Sequence, residues 1–379
     1  MSDPAIKLLR DLIAIDSVNP SLVPGGAGEA EVAKLVANEM RAFGMDVEVT
    51  EVAPGRPNVV GVIEGRGPGK SLMLCGHTDI VSVQGMTSPF DPIERDGRLY
   101  GRGSADMKGG VAAMIDAARI IATSGGLAAG KLLVAAVVDE EHASIGAEAL
   151  VKDWHADAAV VTEPTDLVVA IGHKGFSWLE IITEGRAAHG SRPNEGHDAI
   201  LAMARVMSEL EALDHKLQAR APHPILNTGS LHASLIEGGR ELSTYPDRCV
   251  LQMERRTIGG ENGKTALDEV EAILEKLSKE DSEFQGSARL TFDRLPYETS
   301  PEHELPAMVE SALARIGRQP IRGGMTYWTD AAVLGAAGIP SVIFGPGGFG
   351  YHGLEEYVKI DEVLACRDVL VELIRNFNH

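Results

Sequence analysis

The amino-acid sequence predicts an α/β protein in which a mostly parallel sheet is interrupted by a smaller α+β domain. Three observations support this prediction. Apolar residues occur in short continuous runs, which are typical of strands buried on both faces, and stretches with helical spacing lie between them. From about residue 174 the runs give way to half-exposed strands. At 379 residues the chain is also long for a single compact core.

The first part of the chain alternates helices with strands. The opening segment "MSDPAIKLLRDLIAID" has an acidic residue at position 3 and no small-residue cleavage site after an apolar core, so it predicts a first helix and not a signal peptide. Helical spacing then places Val32, Val36 and Met40 on one face, and the alternating "MDVEVTEV" predicts a strand. The buried runs are "SLMLC", "KLLVAAVV", "ADAAVV" and, far downstream, "IPSVIF".

The glycine-rich stretch "EGRGPGKS" precedes the first buried run. It lacks the first glycine of a phosphate-binding loop, since Glu64 stands there, and a strand follows it where such a loop needs a helix. We interpret it as a hairpin connection between two strands.

Residues 174–292 are predicted to form the inserted domain, and residues 1–173 and 293–379 together form the larger one. The stretches "FSWLEIITEG", "GSLHASLIEGG" and "DRCVLQMERR" have the alternation of half-exposed strands, and amphipathic helices are interleaved with them. In the last of these strands, alternation places Cys249 and Arg256 on opposite faces. The order strand–helix–strand–strand–helix–strand predicts a ferredoxin-like α+β domain with its own core.

Charge and cysteine content exclude some functions. The formal net charge is −20, so a nucleic-acid partner is not expected, because its phosphates would be repelled. No apolar stretch approaches the length that spans a bilayer, so no membrane partner is expected either. The three cysteines lie far apart and form no CxxC pair, which favours reduced thiols in a cytoplasmic protein.

Polar residues follow each of the four buried runs. The first run is followed by His77 and Asp79, the second by Glu140 and Glu141, the third by Glu163, and the fourth by a glycine-rich segment that contains His352. In open α/β sheets, ligands bind beyond the carboxyl ends of the strands, so parallel strands would gather these residues at one edge. The loop "LYGRGSADMKGG" adds the carboxylate of Asp106 just before a helix.

Two histidines and several carboxylates form a ligand set suited to zinc, manganese or cobalt. The carboxylates would repel one another and take up protons unless positive charge neutralised them. The set is larger than one ion needs, and an aspartate can bridge two ions about 3.5–4 Å apart, as in two-metal hydrolases. The sequence therefore predicts two divalent metal ions, zinc in first place, with cobalt or manganese as alternatives.

The sequence also resembles the di-zinc amidohydrolase and metallopeptidase family of acetylornithine deacetylase, succinyl-diaminopimelate desuccinylase, aminoacylase and the glutamate carboxypeptidases. The resemblance covers nearly the whole chain and rests on "LLRDLIAIDSVNP", "GHTDIV", "LYGRGSADMKGG", "VVDEEHASIGA", "VVTEPT", "AAHGSRPNEGHDAI", "TDAAVLGAAGIPSVIFGPG" and "YHGLEEYV". It implies a zinc-hydrolase catalytic domain in the larger part of the chain. The insertion would be a dimerisation or lid domain.

Carried over position by position, the resemblance implies two groups of zinc ligands. One group is His77, Asp106 and Glu163, and the other is Asp106, Glu141 and His352, so that Asp106 bridges the two ions. Glu140 corresponds to the family's general base, and Asp79 to the carboxylate that orients His77. Both roles suit carboxylates, since one behind a metal-bound histidine fixes the imidazole tautomer and one beside an attacking water can carry its proton.

The resemblance also implies residues that contact substrate. Arg256 would hold a free carboxylate of a small-molecule substrate, and a solvated salt-bridging arginine is the alternative. His189 would donate to the developing oxyanion, across a homodimer formed through the inserted domain. Thr329 lies in a segment that faces substrate in the family. Ser243 stands where the family usually has asparagine, which leaves the substrate subclass open.

The predicted activity is hydrolysis of the amide bond of an N-acyl amino acid, as in deacetylases and desuccinylases, with zinc-activated water and Glu140 as the general base. A dipeptidase or carboxypeptidase with the same di-zinc centre is the alternative among enzymes. A non-catalytic relative that only binds a metabolite is a third hypothesis. The intact Glu140 argues against it, because losing that base is the simplest way to abolish turnover.

Overall fold

The computed structural model describes residues 3–377. The chain divides into two compact units. The first unit runs to Ile171 and also includes Thr299–Gly324 and the chain from Thr329 onward. The second unit is Gly172–Glu298 together with Met325–Trp328, and the predicted insertion at 174–292 lies within it.

The secondary structure follows the chain in this order. The helices are α1 (Pro4–Ile13), α2 (Ala30–Ala42), α3 (Gly109–Thr123), α4 (Ile145–Asp153), α5 (Ala199–Gln218), α6 (Gly263–Glu280), α7 (Glu304–Arg315), α8 (Ala331–Ala336) and α9 (Ile360–Phe377). The strands are β1 (Asp46–Ala53), β2 (Arg56–Glu64), β3 (Ser71–His77), β4 (Ile93–Arg95), β5 (Arg98–Tyr100), β6 (Lys131–Val137), β7 (Ala158–Val161), β8 (Val169–His173), β9 (Gly175–Glu184), β10 (Ser230–Gly238), β11 (Arg248–Thr257), β12 (Gln285–Arg294), β13 (Tyr297–Glu298), β14 (Arg322–Met325), β15 (Ser341–Ile343), β16 (Gly348–Phe349) and β17 (Tyr357–Lys359). A π-helical turn at Ser104–Lys108 leads into α3.

A large sheet forms the core of the first unit, with its strands in the order β1-β2-β6-β3-β7-β15-β8. The four central strands β6, β3, β7 and β15 are parallel, and the outer strands β1, β2 and β8 are antiparallel to their neighbours. The four apolar runs predicted as buried strands are these central strands. Leu72 pairs with both Leu132 and Ala158, so the carboxyl ends of β3, β6 and β7 lie at one edge.

The first two predicted helices are confirmed. Asp3 caps α1 by accepting the Ala5 N–H at 2.9 Å, and a proline at the first helical position suits a helix start. The apolar face predicted for α2 is buried, including Val32, Val36 and Met40. Burial of these apolar stripes, and not helix propensity alone, stabilises such helices.

The connection between β2 and β3 contradicts the predicted hairpin. β6 lies between these two strands and pairs with both, so the stretch from Glu64 to Ser71 joins strands that are not neighbours. The Gly65 N–H donates to Gly130 O at 2.8 Å, so the connection follows the segment that enters β6. A cluster of glycines predicts a turn but does not show which strands the turn connects.

The second unit contains an antiparallel sheet in the order β10-β11-β9-β12. With α5 and α6, this is the predicted strand–helix–strand–strand–helix–strand order of a ferredoxin-like domain. Burial alternates along β11, with Cys249 and Arg255 buried and Arg256 on the opposite face, as predicted. The buried face of the sheet packs with apolar residues of the two helices, such as Met203 and Val270.

The cytoplasmic location was predicted from cysteines that form no obvious pairs, and all three cysteines are buried and free in the structure. Among the helices within residues 3–377, none combines the length and the apolar composition that crossing a membrane requires.

Candidate metal centre

Three of the five predicted ligands, His77, Glu141 and Glu163, lie at the ends of parallel strands in the first unit. His77 is the last residue of β3, Glu140 and Glu141 follow β6, and Glu163 follows β7. His352 lies in the loop between β16 and β17, and Asp106 in the π-helical turn before α3, where its peptide bond to Met107 is cis. The topology thus brings six residues from five segments together, although 275 positions separate the first from the last in the sequence (352 − 77).

The side chains form two groups that share Asp106. His77 Nε2 lies 3.2 Å from Asp106 Oδ1 and 3.6 Å from Glu163 Oε1. His352 Nε2 lies 3.4 Å from Asp106 Oδ2 and 3.0 Å from Glu141 Oε2. Within each group the possible ligand atoms all lie within 4.8 Å of one another. These are the two ligand groups that the resemblance implies, with one oxygen of Asp106 directed to each.

The carboxylates of the two groups are crowded and poorly solvated. Burial, followed by the charge of Asp106, raises the pKa of Glu141 to about 7. Burial also raises the pKa of Glu163 and of Glu140 well above their usual range, and repulsion between these two carboxylates raises that of Glu140 further. Hydrogen bonds to Asp106 and then Glu141 raise the pKa of His352 to about 10. The chemistry of these donors, imidazole nitrogens and carboxylate oxygens held close together, fits divalent metal ions.

Glu140 is adjacent to the groups without belonging to either. Its Oε2 lies 4.0 Å from His77 Nε2. The charges of Asp330 and Glu141 also raise its pKa, after burial and the charge of Glu163. Asp330 is itself buried and directly follows Thr329, which was predicted to contact substrate. A carboxylate in this position can exchange protons with a molecule bound at the centre.

Asp79 connects His77 to the two glutamates. His77 Nδ1 lies 3.0 Å from the main-chain oxygen of Asp79 and 3.5 Å from its Oδ1. The Asp79 carboxylate also accepts the N–H groups of Glu140 and Glu141, both at 3.2 Å. Burial alone would raise the pKa of Asp79, but hydrogen bonds, first from His77 and then from Asn19, lower it. Asp79 is therefore placed to orient both the histidine and the turn that carries the glutamates.

A buried ion pair, which no sequence pattern predicted, connects the loops of Asp106 and His352. Glu356 accepts the Asp106 N–H at 3.1 Å and pairs with Arg102 Nη1 at 2.7 Å. Arg102 Nη2 donates to the main-chain oxygen of Gly353 at 2.8 Å, next to His352. Glu356 lies within the motif "YHGLEEYV", but nothing in its local pattern distinguishes it from the exposed Glu355 beside it.

His189 and Ser243 lie together in the second unit, both exposed. The Gly190 N–H donates to Ser243 O at 2.7 Å, which pairs the two segments. His189 Nδ1 accepts the Ser191 N–H at 3.2 Å and lies 2.8 Å from Ser191 Oγ. Since a backbone N–H can only donate, Nδ1 is the acceptor and the proton of the neutral imidazole lies on Nε2.

Arg256 and Thr329 have local partners. Arg256 Nε donates to Glu254 Oε1 at 2.7 Å, and its guanidinium lies 5.2 Å from the centre of the Phe176 ring. The pair with Glu254 matches the salt-bridging alternative, while the half-exposed position also suits a carboxylate ligand. The Thr329 hydroxyl is buried and accepts the Ala331 N–H at 3.2 Å, at the start of α8. Substrate binding by these two residues stays a prediction.

A family model described as peptidase family M20/M25/M40 matches residues 73–376, well over half of the chain. The chain belongs to this family. The resemblance stated from the motifs is thereby confirmed, and the protein is a hydrolase of the M20 family.

Similar proteins agree with this assignment. The acetylornithine deacetylase of Photorhabdus laumondii subsp. laumondii is 30% identical to this M20 hydrolase over an alignment of 394 positions, which covers 99% of this chain and 97% of that protein. A tripeptidase from Staphylococcus aureus has a TM-score of 0.81 at 20% identity and covers 98% and 97% of the two chains. A metallo-carboxypeptidase of the M20 family from Sulfolobus solfataricus has a TM-score of 0.79 at 17% identity, with 99% of each chain covered. These structures confirm the predicted fold class.

Proposed function

We propose that this M20 hydrolase cleaves the amide bond of an N-acyl amino acid with two divalent metal ions, zinc in first place. The observation that carries the proposal is the pair of ligand groups that share Asp106, with Glu140 beside them. His77, Asp106 and Glu163 would hold one ion, and Asp106, Glu141 and His352 the other. The 30% identity to an acetylornithine deacetylase along nearly the whole chain supports an acylated amino acid as the substrate class.

Ions held by these residues would make the attacking water more acidic and polarise the substrate carbonyl. Glu140 would take the proton from that water and return it to the departing nitrogen, as a general base and then a general acid. The bond from its N–H to Asp79 holds the main chain of Glu140 in place. Asp79 would also keep His77 in one tautomer, because its main-chain oxygen would accept a hydrogen bond from Nδ1–H and leave Nε2 directed at the centre.

Two residues of the second unit would assist this reaction. Arg256 would bind the free carboxylate of the substrate through its guanidinium fork. His189 would donate a hydrogen bond from Nε2 to the oxyanion of the tetrahedral intermediate, and the Ser191 N–H on Nδ1 supports this tautomer. A side chain that donates only to the oxyanion contributes to turnover more than to substrate binding.

We also propose a homodimer that forms through the second unit. β10 is an edge strand, and its Leu235 and Ile236 are 66% and 53% exposed. An exposed apolar edge strand favours pairing with another strand. The partner in this proposal is a second copy of the chain, and neither nucleic acid nor membrane is involved. A cytoplasmic location stays a prediction.

A dipeptidase or carboxypeptidase is the second candidate, because the family itself is described as a peptidase family. The same centre would serve, since a peptide bond is also an amide and presents the same carbonyl to the attacking water. The two candidates differ in the group on the acyl side of the bond. An acyl amino acid carries no amino group there, whereas a peptide does.

A hydrolysis screen tests the proposal. Purified protein would be freed of metal with a chelator, reloaded with zinc, cobalt or manganese, and offered N-acetyl, N-formyl and N-succinyl amino acids beside dipeptides. Release of free amine from an acyl amino acid, lost after chelation and restored by metal, is the expected result. Faster cleavage of dipeptides would favour the second candidate. Bound metal without turnover of either class would refute both.

A further inference from the structure

A closed ring of hydrogen bonds lies behind the proposed general base, and the proposed mechanism uses only one of its bonds, from the Glu140 N–H to Asp79. Asn19 Nδ2 donates to Asp79 Oδ2 at 2.8 Å and to Asp139 Oδ1 at 3.1 Å. Asp79 in turn accepts the N–H groups of Glu140 and Glu141 at 3.2 Å. Because Asp139 directly precedes Glu140 in the chain, these contacts close on themselves, with the Asn19 amide joining the two aspartates.

The ring is buried and tied to one cation. Asn19 and Asp79 are 0% exposed and Asp139 is 1% exposed. Arg56, also buried, donates from Nη1 to Asp139 Oδ1 at 2.7 Å and from Nε to Glu29 Oε2 at 2.8 Å. The Arg56 guanidinium therefore offsets the charge of Asp139. A buried carboxylate without such donors would be strongly disfavoured.

Asp139 also sets the direction of the chain after β6. It has a left-handed backbone (φ 69°), which is unusual for a residue other than glycine. Its main-chain oxygen accepts the N–H groups of Ala143 at 3.1 Å and Ser144 at 2.6 Å, and this closes the turn that carries the two glutamates. Such a conformation persists only where surrounding contacts hold it, and here Arg56 and Asn19 hold the side chain.

We propose that Asn19 is a positioning residue for Glu140 and Glu141. Its amide holds the Asp79 carboxylate against the backbone of both glutamates and joins it to the turn residue Asp139. Without the Nδ2 donors, two buried carboxylates would face each other and Asp79 would lose its fixed position. The inference rests on the proposed function, since it takes Glu140 as the general base and Glu141 as a metal ligand. Loss of outer partners of this kind typically costs about 10–100-fold in metal affinity or activity.

The main test is Asn19→Asp, which keeps the size of the side chain. It also keeps an oxygen in the position of Oδ1, which accepts the Ser21 N–H at 2.9 Å, and replaces only the amide that donates to the aspartates. We expect kcat to fall by about 10–100-fold with KM changed by less than about threefold, and zinc or cobalt to bind at one site about 10–100-fold more weakly. Metal affinity is measured by titration of the chelator-treated protein without substrate.

Two further variants separate positioning from a general loss of packing. Thr183→Val removes a buried hydrogen bond in the second unit, from the Thr183 hydroxyl to Ala199 O at 2.8 Å, and should change neither kcat nor metal affinity. Asn19→Ala is combined with Asp79→Ala in a double-mutant cycle. If Asn19 acts through Asp79, Asn19→Ala lowers kcat in the wild-type background and has little further effect in the Asp79→Ala background.

Three outcomes would overturn the inference. These are wild-type kcat and metal affinity in a folded Asn19→Asp protein, fully additive losses in the cycle, or an equal loss of kcat in Thr183→Val. Failure of the proposed function gives a different result, because the wild-type protein itself would then bind no divalent metal ion. If the wild type binds two ions and the Asn19 variants match it, only the positioning role is wrong.

Discussion

Replacing Glu140 and Glu141 one at a time should separate a proton-transfer group from a metal ligand. Glu141 Oε2 lies 3.0 Å from His352 Nε2 and belongs to one of the two possible metal-binding groups among residues 3–377, whereas Glu140 belongs to neither. Glu140→Gln should therefore keep both ions. Glu141→Gln should weaken the ion held with Asp106 and His352, because a neutral amide is a poorer ligand than a carboxylate.

The size of each effect follows from the surroundings of the side chain. A general base contributes about 10²–10⁴-fold to turnover, or about 3–5 kcal/mol of activation free energy.

Glu140→Gln should lower turnover, but it should not lower the folding stability of the metal-free protein. Burial and then the charge of Glu163 raise the pKa of Glu140, so the folded state disfavours its ionised form. A neutral amide avoids that repulsion, and the metal-free variant should melt no lower than the wild type at neutral pH.

The assay compares three proteins under one protocol. Metal content is measured after equilibration with limiting zinc, turnover with saturating zinc, and Tm after chelation. Glu64→Gln is the matched control, because it removes the charge of an exposed glutamate that pairs with Lys131, at the opposite end of β6. We expect Glu140→Gln to bind two ions and turn over about 10²–10⁴-fold more slowly. Glu141→Gln should bind fewer ions at the same zinc concentration.

Two results would refute this reasoning. An active Glu140→Gln protein would show that another group moves the proton. Equal loss of metal from both variants would show that Glu140 is a ligand and that the two ligand groups do not describe the centre. A lower Tm in metal-free Glu140→Gln alone would contradict the electrostatic part of the argument without touching the catalytic part.

Three further predictions concern other residues. Arg256→Lys should raise KM or lower kcat/KM because lysine cannot form a two-pronged contact, and a wild type that cleaves the methyl ester of its substrate as well as the acid would contradict the carboxylate clamp. His189→Ala should lower kcat by about 10²–10³-fold with little change in KM or metal content. If His189 acts across a dimer, mixing the His189→Ala protein with the inactive Glu140→Gln protein restores activity. No recovery after confirmed subunit exchange would exclude action of His189 on the partner subunit. In the metal-free protein, His352 has its pKa raised from 6.5 to about 10, first by its hydrogen bond to Asp106. The stability it contributes is full below about pH 6.5 and lost as the pH rises towards 10, so Tm should fall across that window, and less so in His352→Asn.

The strands that carry the candidate site could be predicted because burial on both faces leaves a direct trace in the sequence. Strands such as β3 and β6 must be apolar along their whole length, and the polar residue after each one marks where the strand leaves the core. The rule that ligands gather at the carboxyl ends of parallel strands then predicts that His77 and Glu141 are neighbours. The order of elements in the second unit followed from periodicity in the same way.

The contacts around the site could not be predicted, because they join segments that no periodicity relates. Asn19 contacts Asp79 across 60 positions and Asp139 across 120. Arg102 and Glu356 pair across 254 positions. A buried polar residue looks in the sequence like a surface one, since its partner and not its neighbours makes burial possible. The β2–β3 connection was predicted wrongly for a related reason, because strand order is a property of the sheet and not of the turn.

The pairing of β8 with β13 has a consequence for how the chain folds. His173 is the register partner of Tyr297, so the two ends of the second unit lie side by side in its own structure. Closing a flexible loop of roughly 120 residues would cost about 4 kcal/mol of chain entropy. Packing of strands and helices within the second unit, an almost continuous stretch of sequence, offsets this loss of chain entropy. The insertion therefore begins and ends at adjacent points, so the segments of the first unit before and after it are joined much as a short turn would join them.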